Sequence, residues 1–245
     1  MTRLVAAELF KLRTTRTFAA MVGTTFALLL LIVVLSLALT DSFDTENDVR
    51  SLLSSASLSG LFMLVLGVVA GAGEYRHGTI ASTLLVTPDR LRAVTAQTLG
   101  VGAAGFVVGL ACALVCAAIG LPWLATKDAA TLPTGDLLTL FLGCALYTAL
   151  AAAFGVALGA LMRNQVAAVV LVLVFLFVVD PAVASLVDAY SKFSLSGLSS
   201  AISGGSPDDS PGNDLLPQGV AALIWAAYTV VLALAAALLT ARRDI

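Results

Sequence analysis

The sequence predicts an all-α integral membrane protein with six transmembrane helices. Its residues are 60% hydrophobic and 11% charged, whereas a soluble domain carries about 25% charged residues. Six stretches, uncharged or interrupted by one aspartate, are long enough to cross about 30 Å of hydrocarbon as helices. A closed β-barrel is the other structure that satisfies its backbone hydrogen bonds in lipid. These stretches lack the alternation of apolar and polar residues that a barrel strand shows. We predict a single transmembrane domain over residues 1–245, with spans at about 17–40, 52–73, 93–121, 137–162, 164–187 and 217–241.

The placement of lysine and arginine predicts the orientation of these spans. With a cytoplasmic N-terminus, ten of the 13 basic residues fall on the inner side, and Arg50, Lys127 and Lys192 fall on the outer side. This bias follows the positive-inside rule, and an even number of spans keeps both termini on one side. We expect a multi-pass protein of the cytoplasmic (inner) membrane, with both termini cytoplasmic. Its first apolar run is too long for a cleaved signal peptide.

Residues 1–16 predict an interfacial elbow helix ahead of the first span. Val5, Leu9 and Leu12 would line one apolar stripe. A basic amphipathic helix beside a span lies in the membrane interface. Its charges either fix the topology alone or also offer a docking surface.

Small residues inside the spans predict close helix packing. Gly-x-x-x-Gly pairs occur in spans two, three and four, at Gly67/Gly71, Gly105/Gly109 and Gly155/Gly159. Such pairs allow helices to approach closely in membranes, although a chain with 20 glycines produces some by chance. The three cysteines also fall inside spans, so they are interpreted as packing residues and no disulfide framework is implied.

The polar stretch between spans two and three carries helix signals of its own. His77-Gly78-Thr79 should end one helix and begin another, since glycine tolerates a left-handed cap and threonine is a good N-cap. Thr87-Pro88-Asp89 gives a second start just before span three. The pattern predicts a short helix across the inner mouth of the bundle; the alternative is that its charges are ordinary interfacial residues and Pro88 is only a turn.

In order and spacing, this stretch resembles the inner loop of the permease subunits of type-2 ABC transporters, the exporter class. That loop has an acidic residue, Gly-Thr-aliphatic, a Leu-Leu pair, and Ser/Thr-Pro followed by basic residues. The N-terminal Glu8, Lys11 and Arg13 resemble the family's elbow segment, and the six spans match over essentially the full length. Gln97 departs from the pattern, which has a basic residue there. The positions assigned to ATPase coupling on this resemblance are Glu74, Arg76, Gly78, Thr79, Ile80, Leu84, Leu85, Pro88, Arg90 and Arg92.

The resemblance implies a permease subunit driven by a separate ATP-binding subunit. The loop would be a coupling helix seated in a cleft of that subunit, beside the elbow helix. Two ATPase copies, holding ATP and Mg, would drive two permease copies in the lipid bilayer, expected to be a homodimer. The chain has no G-x-x-x-x-G-K-[ST] phosphate loop, so the ATPase activity would lie in the partner. We expect no catalytic residue, cofactor or nucleic-acid partner of its own, and the single histidine, His77, cannot build a histidine metal cluster.

Asp180 is the one charge inside the predicted spans, next to Pro181 near the outer boundary. It is either an interfacial aspartate beside a kinking proline or a candidate outer gate or substrate contact. Further along, Leu195, Leu198 and Ile202 recur at helical spacing and predict a short amphipathic helix in the outer interface.

The scarcity of charge in the spans favours a lipophilic or amphiphilic cargo, such as a drug, antibiotic peptide or lipid. A pathway for a small hydrophilic ion would carry more ionisable groups. An ATP-independent secondary transporter would favour inverted repeats and paired ionisable groups at the midplane, which the sequence lacks. An intramembrane enzyme would need a nucleophile with a base, or HExxH, and neither is found. A membrane scaffold for an ATPase that drives something other than transport is the remaining alternative.

Overall fold

The computed structural model describes residues 2–40, 42–76, 90–127, 129–162, 164–204 and 215–242, and within them the chain is helical without strands. Six helical segments are long and apolar enough to cross a membrane, which confirms the predicted fold class. The helices are α1 (Thr2–Thr14), α2 (Arg16–Leu39), α3 (Glu46–Ser54), α4 (Leu58–Arg76), α5 (Arg90–Thr126), α6 (Thr134–Met162), α7 (Gln165–Val174), α8 (Asp180–Leu186), α9 (Asp188–Ser191), α10 (Leu195–Ser203) and α11 (Gln218–Arg242).

The second span begins earlier than its apolar run. Thr45 and Asp48 form a capping box, in which each side chain accepts a hydrogen bond from the other residue's backbone N–H. This box starts α3 at Glu46, six residues before the predicted boundary at 52. A 3₁₀ turn over Ser55–Ser57 then joins α3 to α4. Polar residues of the first loop therefore become the first turn of the span.

Two prolines affect the spans in different ways. Helix α5 continues through Pro122 to Thr126, beyond the predicted end near residue 121. In the fifth span, α7 and α8 are joined by a π-helical turn at Phe175–Val179, where the Asp180 N–H donates to the carbonyl of Phe175. Pro181 follows directly; a proline lacks an N–H and crowds the carbonyl four residues back, which favours such a local change of register.

Burial separates the six spans into an inner and an outer set. In the second span 61% of the most apolar window is buried, and in the third and fourth spans 50% is buried. The corresponding values for the first, fifth and sixth spans are 22%, 17% and 28%. Helices α4, α5 and α6 therefore form the centre of the bundle, and the other spans turn most of their apolar surface outward.

Glycines bring α4 and α6 into backbone contact. A methyl group added at Gly67 would collide with the carbonyl of Ala152, and one at Gly155 would collide with the carbonyl of Leu64. Gly71 and Gly159 repeat the arrangement one turn further along. Since contacts advance in the same direction on both helices, α4 and α6 run parallel. The predicted packing role of these two pairs is confirmed, and the contact is reciprocal.

The third glycine pair packs α5 antiparallel against α6. A methyl group at Gly105 would lie 2.8 Å from the carbonyl oxygen of Thr148, and one at Gly109 would lie 2.7 Å from the Cβ of the same residue. Thr148 also shares a 2.7 Å hydrogen bond with Ser59 near the start of α4. Helix α6 is thus held by its two central neighbours at once.

Candidate functional site

The first candidate region is the end of the bundle where the predicted coupling segment attaches. Helix α4 ends at Arg76 and α5 begins at Arg90, so Glu74 and Arg76 occupy the last turn of α4. Arg92 is exposed on the first turn of α5. The remaining predicted coupling residues lie outside the described part of the chain: Gly78, Thr79, Ile80, Leu84, Leu85 and Pro88, together with His77.

Gln97 ties the two flanking helices together close to this end. Its side chain is only 5% exposed, and its Nε2 donates a 3.1 Å hydrogen bond to the carbonyl of Ala70 on α4. Gln97 stands seven residues, about 10 Å of helix, after Arg90. An uncharged amide suits this buried position because a carbonyl can satisfy it without a counter-ion. The departure of Gln97 from the family pattern therefore has a local physical reason.

Helix α1 packs against α5 one turn further along. A methyl group at Gly100 would lie 3.0 Å from the Cβ of Glu8 and 3.5 Å from the carbonyl oxygen of Val5, so a side chain at this position would require Glu8 to shift by a few tenths of an ångström. Leu12 is buried. Leu9 of the predicted stripe is 36% exposed, and the Glu8 side chain, 18% exposed, lies on the side of α1 that faces α5.

The predicted elbow residues of α1 have different environments. The side chain of Lys11 is 49% exposed and lies 3.7 Å from the carboxylate of Glu8, which is 18% exposed. Arg13 is exposed near the end of α1. An ion pair this exposed contributes about 1 kcal/mol or less, so apolar packing of Leu12 and close approach at Gly100 hold α1 in place.

The second candidate region surrounds Asp180 at the opposite end of the bundle. Asp180 is the first residue of α8 and is completely buried. Its Oδ1 accepts hydrogen bonds from the Tyr190 hydroxyl at 2.8 Å and the Leu195 N–H at 3.1 Å. Its Oδ2 accepts from the Ser196 N–H at 2.9 Å and the Ser196 hydroxyl at 2.6 Å. All four hydrogen bonds are donated to Asp180, so both of its oxygens act as acceptors.

These contacts place Asp180 at the N-terminus of α10. The carboxylate accepts hydrogen bonds from the N–H groups of the first two residues of that helix, where the helix dipole favours negative charge. The Ser194 hydroxyl accepts from the Gly197 N–H at 2.9 Å. Burial, together with the hydrogen bond to Asp180, raises the pKa of Tyr190 to about 12, so its hydroxyl remains a donor at neutral pH.

Helix α10 is inserted between α6 and α11. The predicted amphipathic helix is confirmed, with Leu195, Leu198 and Ile202 all buried. At its C-terminus the Ile202 carbonyl accepts a 2.6 Å hydrogen bond from the Gln218 side chain. The Ser203 carbonyl accepts from the Cys144 thiol at 3.6 Å. Both ends of a nine-residue helix are thus satisfied by side chains from neighbouring spans.

Sequence reasoning missed most of the residues that hold α10. Ser194, immediately before the apolar stripe, was a readable N-cap signal. Tyr190, Ser196 and Gln218 gave no such signal, since their partners are fixed only by the way the chain folds back. Among the residues that the structure describes, no group of three histidine, cysteine or acidic side chains is arranged to hold a metal ion.

The family of the chain follows from a comparison with known protein families. The model of the ABC-2 family transporter protein matches residues 34–203, which is more than half of the chain. The chain belongs to the ABC-2 transporter family. A comparison with curated proteins found no match.

Family membership makes this ABC-2 permease a multi-pass membrane component of an ABC transporter that works with an ATP-binding subunit. The matched range includes α4, α5 and the predicted coupling segment between them, and it ends at the last residue of α10. Asp180 and Gln97 lie within the matched range, whereas α1 and Gln218 lie outside it.

Proposed function

We propose that the chain is the permease subunit of an ATP-driven exporter in the cytoplasmic membrane. Two copies, forming a homodimer, would work with two copies of the ATP-binding subunit, which carries the ATP and Mg. The observation that carries this proposal is the family match over residues 34–203. The exporter class itself rests on the resemblance of the loop between α4 and α5.

Force from the ATPase would enter through the segment 77–89. The adjoining ends of α4 and α5 are tied by Gln97, and both helices pack on α6 through glycines that allow backbone contact. Close-packed helices transmit displacement because their interiors compress little. A push at this segment would therefore move α4, α5 and α6 as a block relative to the less buried outer spans.

The cargo proposed for this path is lipophilic or amphiphilic, as in multidrug or antibiotic efflux. Asp180 is the one acidic or basic side chain fully buried among the described residues, and four donors already surround it. An unpaired buried charge costs about 2.5–3.5 kcal/mol on insertion scales. A path with so few charges suits a molecule that brings its own apolar surface.

The coupling part of the proposal is tested by co-purifying the chain with its ATPase and measuring ATP hydrolysis in proteoliposomes. Glu74→Ala and Arg90→Ala should lower the stimulation of hydrolysis several-fold while insertion stays normal. Lys192→Ala, at the predicted external end, is the matched control and should not change the stimulation. Wild-type stimulation by both loop variants would refute the assignment of the loop.

Flux measurements separate the remaining alternatives. An exporter moves an amphiphilic fluorescent cargo only when ATP is present, a secondary transporter responds to a proton gradient, and a scaffold stimulates hydrolysis without flux. For orientation, cysteines replacing Thr45 and Asp209 should react with an impermeant reagent from outside the cell, and one replacing Asp89 should not. The reverse labelling pattern would overturn the proposed topology.

A further inference from the structure

The fold contains a short helix whose first two residues both donate hydrogen bonds to a single carboxylate. Helix α10, which we call the wedge helix (Leu195–Ser203), sits in the bundle end opposite the coupling segment, because it contacts the N-terminal half of α6. The α4 and α6 helices run parallel, so the C-terminus of α4 and the coupling segment lie at the other end. The wedge therefore covers the predicted external end.

We propose that Asp180 is a positioning residue that holds the wedge helix in a closed position, and that the wedge helix opens as a unit separate from the rest of the bundle. The interpretation of this position as the closure of a transport path rests on the proposed function. Its physical basis is the number of contacts that converge on one side chain. Both carboxylate oxygens accept two hydrogen bonds each, and three of the four donors belong to the first two residues of the wedge.

The carboxylate has no acceptor position left for a cargo. A carboxylate offers about four lone-pair sites, and all four are used within the protein. Direct binding of a cargo to Asp180 would first require the wedge to be released. Of the two functional hypotheses for Asp180, an outer gate and a substrate contact, the geometry therefore favours the gate.

The position of Asp180 on the fifth span provides a hinge. The residue directly follows the π-helical turn Phe175–Val179 and precedes Pro181, a combination at which helices bend. The fifth span is also the least buried of the six. Rotation of α7 about this turn would move the carboxylate and pull on the wedge N-terminus, while α4, α5 and α6 keep their glycine contacts.

The closed arrangement also contains an unpaired polar group. Trp225 is completely buried in the apolar cluster that includes Leu195, Leu198 and Ile202, and its indole N–H has no acceptor within the described ranges. Nearly all buried donors in proteins are paired, so an unpaired one costs free energy in the closed arrangement. The closed wedge is held by the burial of its apolar side chains and by its end contacts, of which the Asp180 cluster has the most hydrogen bonds.

The chain supplies its own reporter for opening of the wedge. The Cys144 thiol is fully buried and donates to the carbonyl of Ser203, the last residue of the wedge. Cys112 is equally buried but lies on α5. A protein with the substitutions Cys112→Ala and Cys116→Ala retains only Cys144, which reports on opening of the wedge helix. A protein with Cys116→Ala and Cys144→Ala retains only Cys112, which reports on loosening of the rest of the bundle.

The experiment measures the rate at which a polar maleimide modifies each single cysteine in detergent-solubilised protein, followed by mass. Asp180→Ala should accelerate modification of Cys144 at least tenfold and leave Cys112 unchanged. Asp180→Glu, which restores a carboxylate one methylene further out, should recover part of the protection. Ser185→Ala is the matched control, since its hydroxyl donates to Ala182 within α8, and it should change neither rate.

Two results would overturn the inference: an unchanged Cys144 rate in Asp180→Ala, or equal acceleration at both cysteines, which would indicate general loosening. If Asp180→Ala does not fold, Ser196→Ala and Tyr190→Phe each remove one donor and are judged by the same ratio, with a several-fold rise expected. The measurement needs neither ATPase nor cargo. A negative result would therefore refute the proposed role of Asp180 and leave the transporter proposal intact. A lack of ATP-driven flux would instead refute the transporter proposal and leave the role of Asp180 at the wedge helix intact.

Discussion

Replacing Gly67 by alanine tests whether backbone contact between α4 and α6 holds the centre of the bundle. The added methyl group would meet the carbonyl of Ala152 and would lie 3.0 Å from the backbone nitrogen of Val156. Both obstacles are backbone, so no side chain can rotate away and the two helices must separate. Gly73, on the same helix, is the matched control because an added methyl group meets nothing within 4 Å.

The comparison isolates the cost of the collision. Alanine is favoured over glycine inside a helix by about 1 kcal/mol, and this gain applies to both positions and cancels. Overpacking a tight interior costs about 1–3 kcal/mol. We therefore expect Gly67→Ala to be less stable than Gly73→Ala by about 1–3 kcal/mol.

The assay is reversible unfolding in mixed micelles with increasing sodium dodecyl sulfate, followed by circular dichroism. The free energy of unfolding is compared between the two variants and the wild type. Equal stabilities for Gly67→Ala and Gly73→Ala would refute the backbone contact. The reciprocal position provides a second reading, since Gly155→Ala would meet the carbonyl of Leu64 and should behave like Gly67→Ala.

Two further predictions concern single side chains. Gln97→Leu should lower the free energy of unfolding by about 1 kcal/mol, because it removes a buried hydrogen bond between α5 and α4. Thr98→Val removes a hydrogen bond within α5 and should lower this free energy less. Equal losses in the two variants would contradict a stabilising role for the Gln97 hydrogen bond. Lys127→Met should increase hydrogen exchange over residues 34–40, because the ammonium donates to the carbonyls of Leu37 and Thr40 at the end of α2. Lys127→Arg keeps the charge and should retain part of the protection, while unchanged exchange in Lys127→Met would show that the cap is not needed.

The class of protein and the number of spans can be predicted from the amino-acid composition and the apolar runs. This succeeds because a segment in lipid must satisfy its own backbone, so apolar length alone is enough to indicate a helix. The sequence also indicated α10, since the stripe Leu195, Leu198 and Ile202 has the period of a helix. The same local reasoning failed at the edges. The capping box at Thr45 lengthened one span, and helix α5 continued through Pro122 beyond its predicted end.

The residues that contact one another across helices could not be predicted in this way. The spacing of Gly67 and Gly71 predicts a close approach of another helix. It does not predict that the partner is the parallel helix carrying Gly155 and Gly159, because this depends on how all the spans pack together. The chain likewise gave no sign that Asp180 would cap a helix beginning 15 residues later, or that Gln218 would close its other end. Periodicity is a local property of a chain, whereas a partner is chosen by the crossing of several helices, and the hydrogen bonds at α10 exist only after those crossings are made.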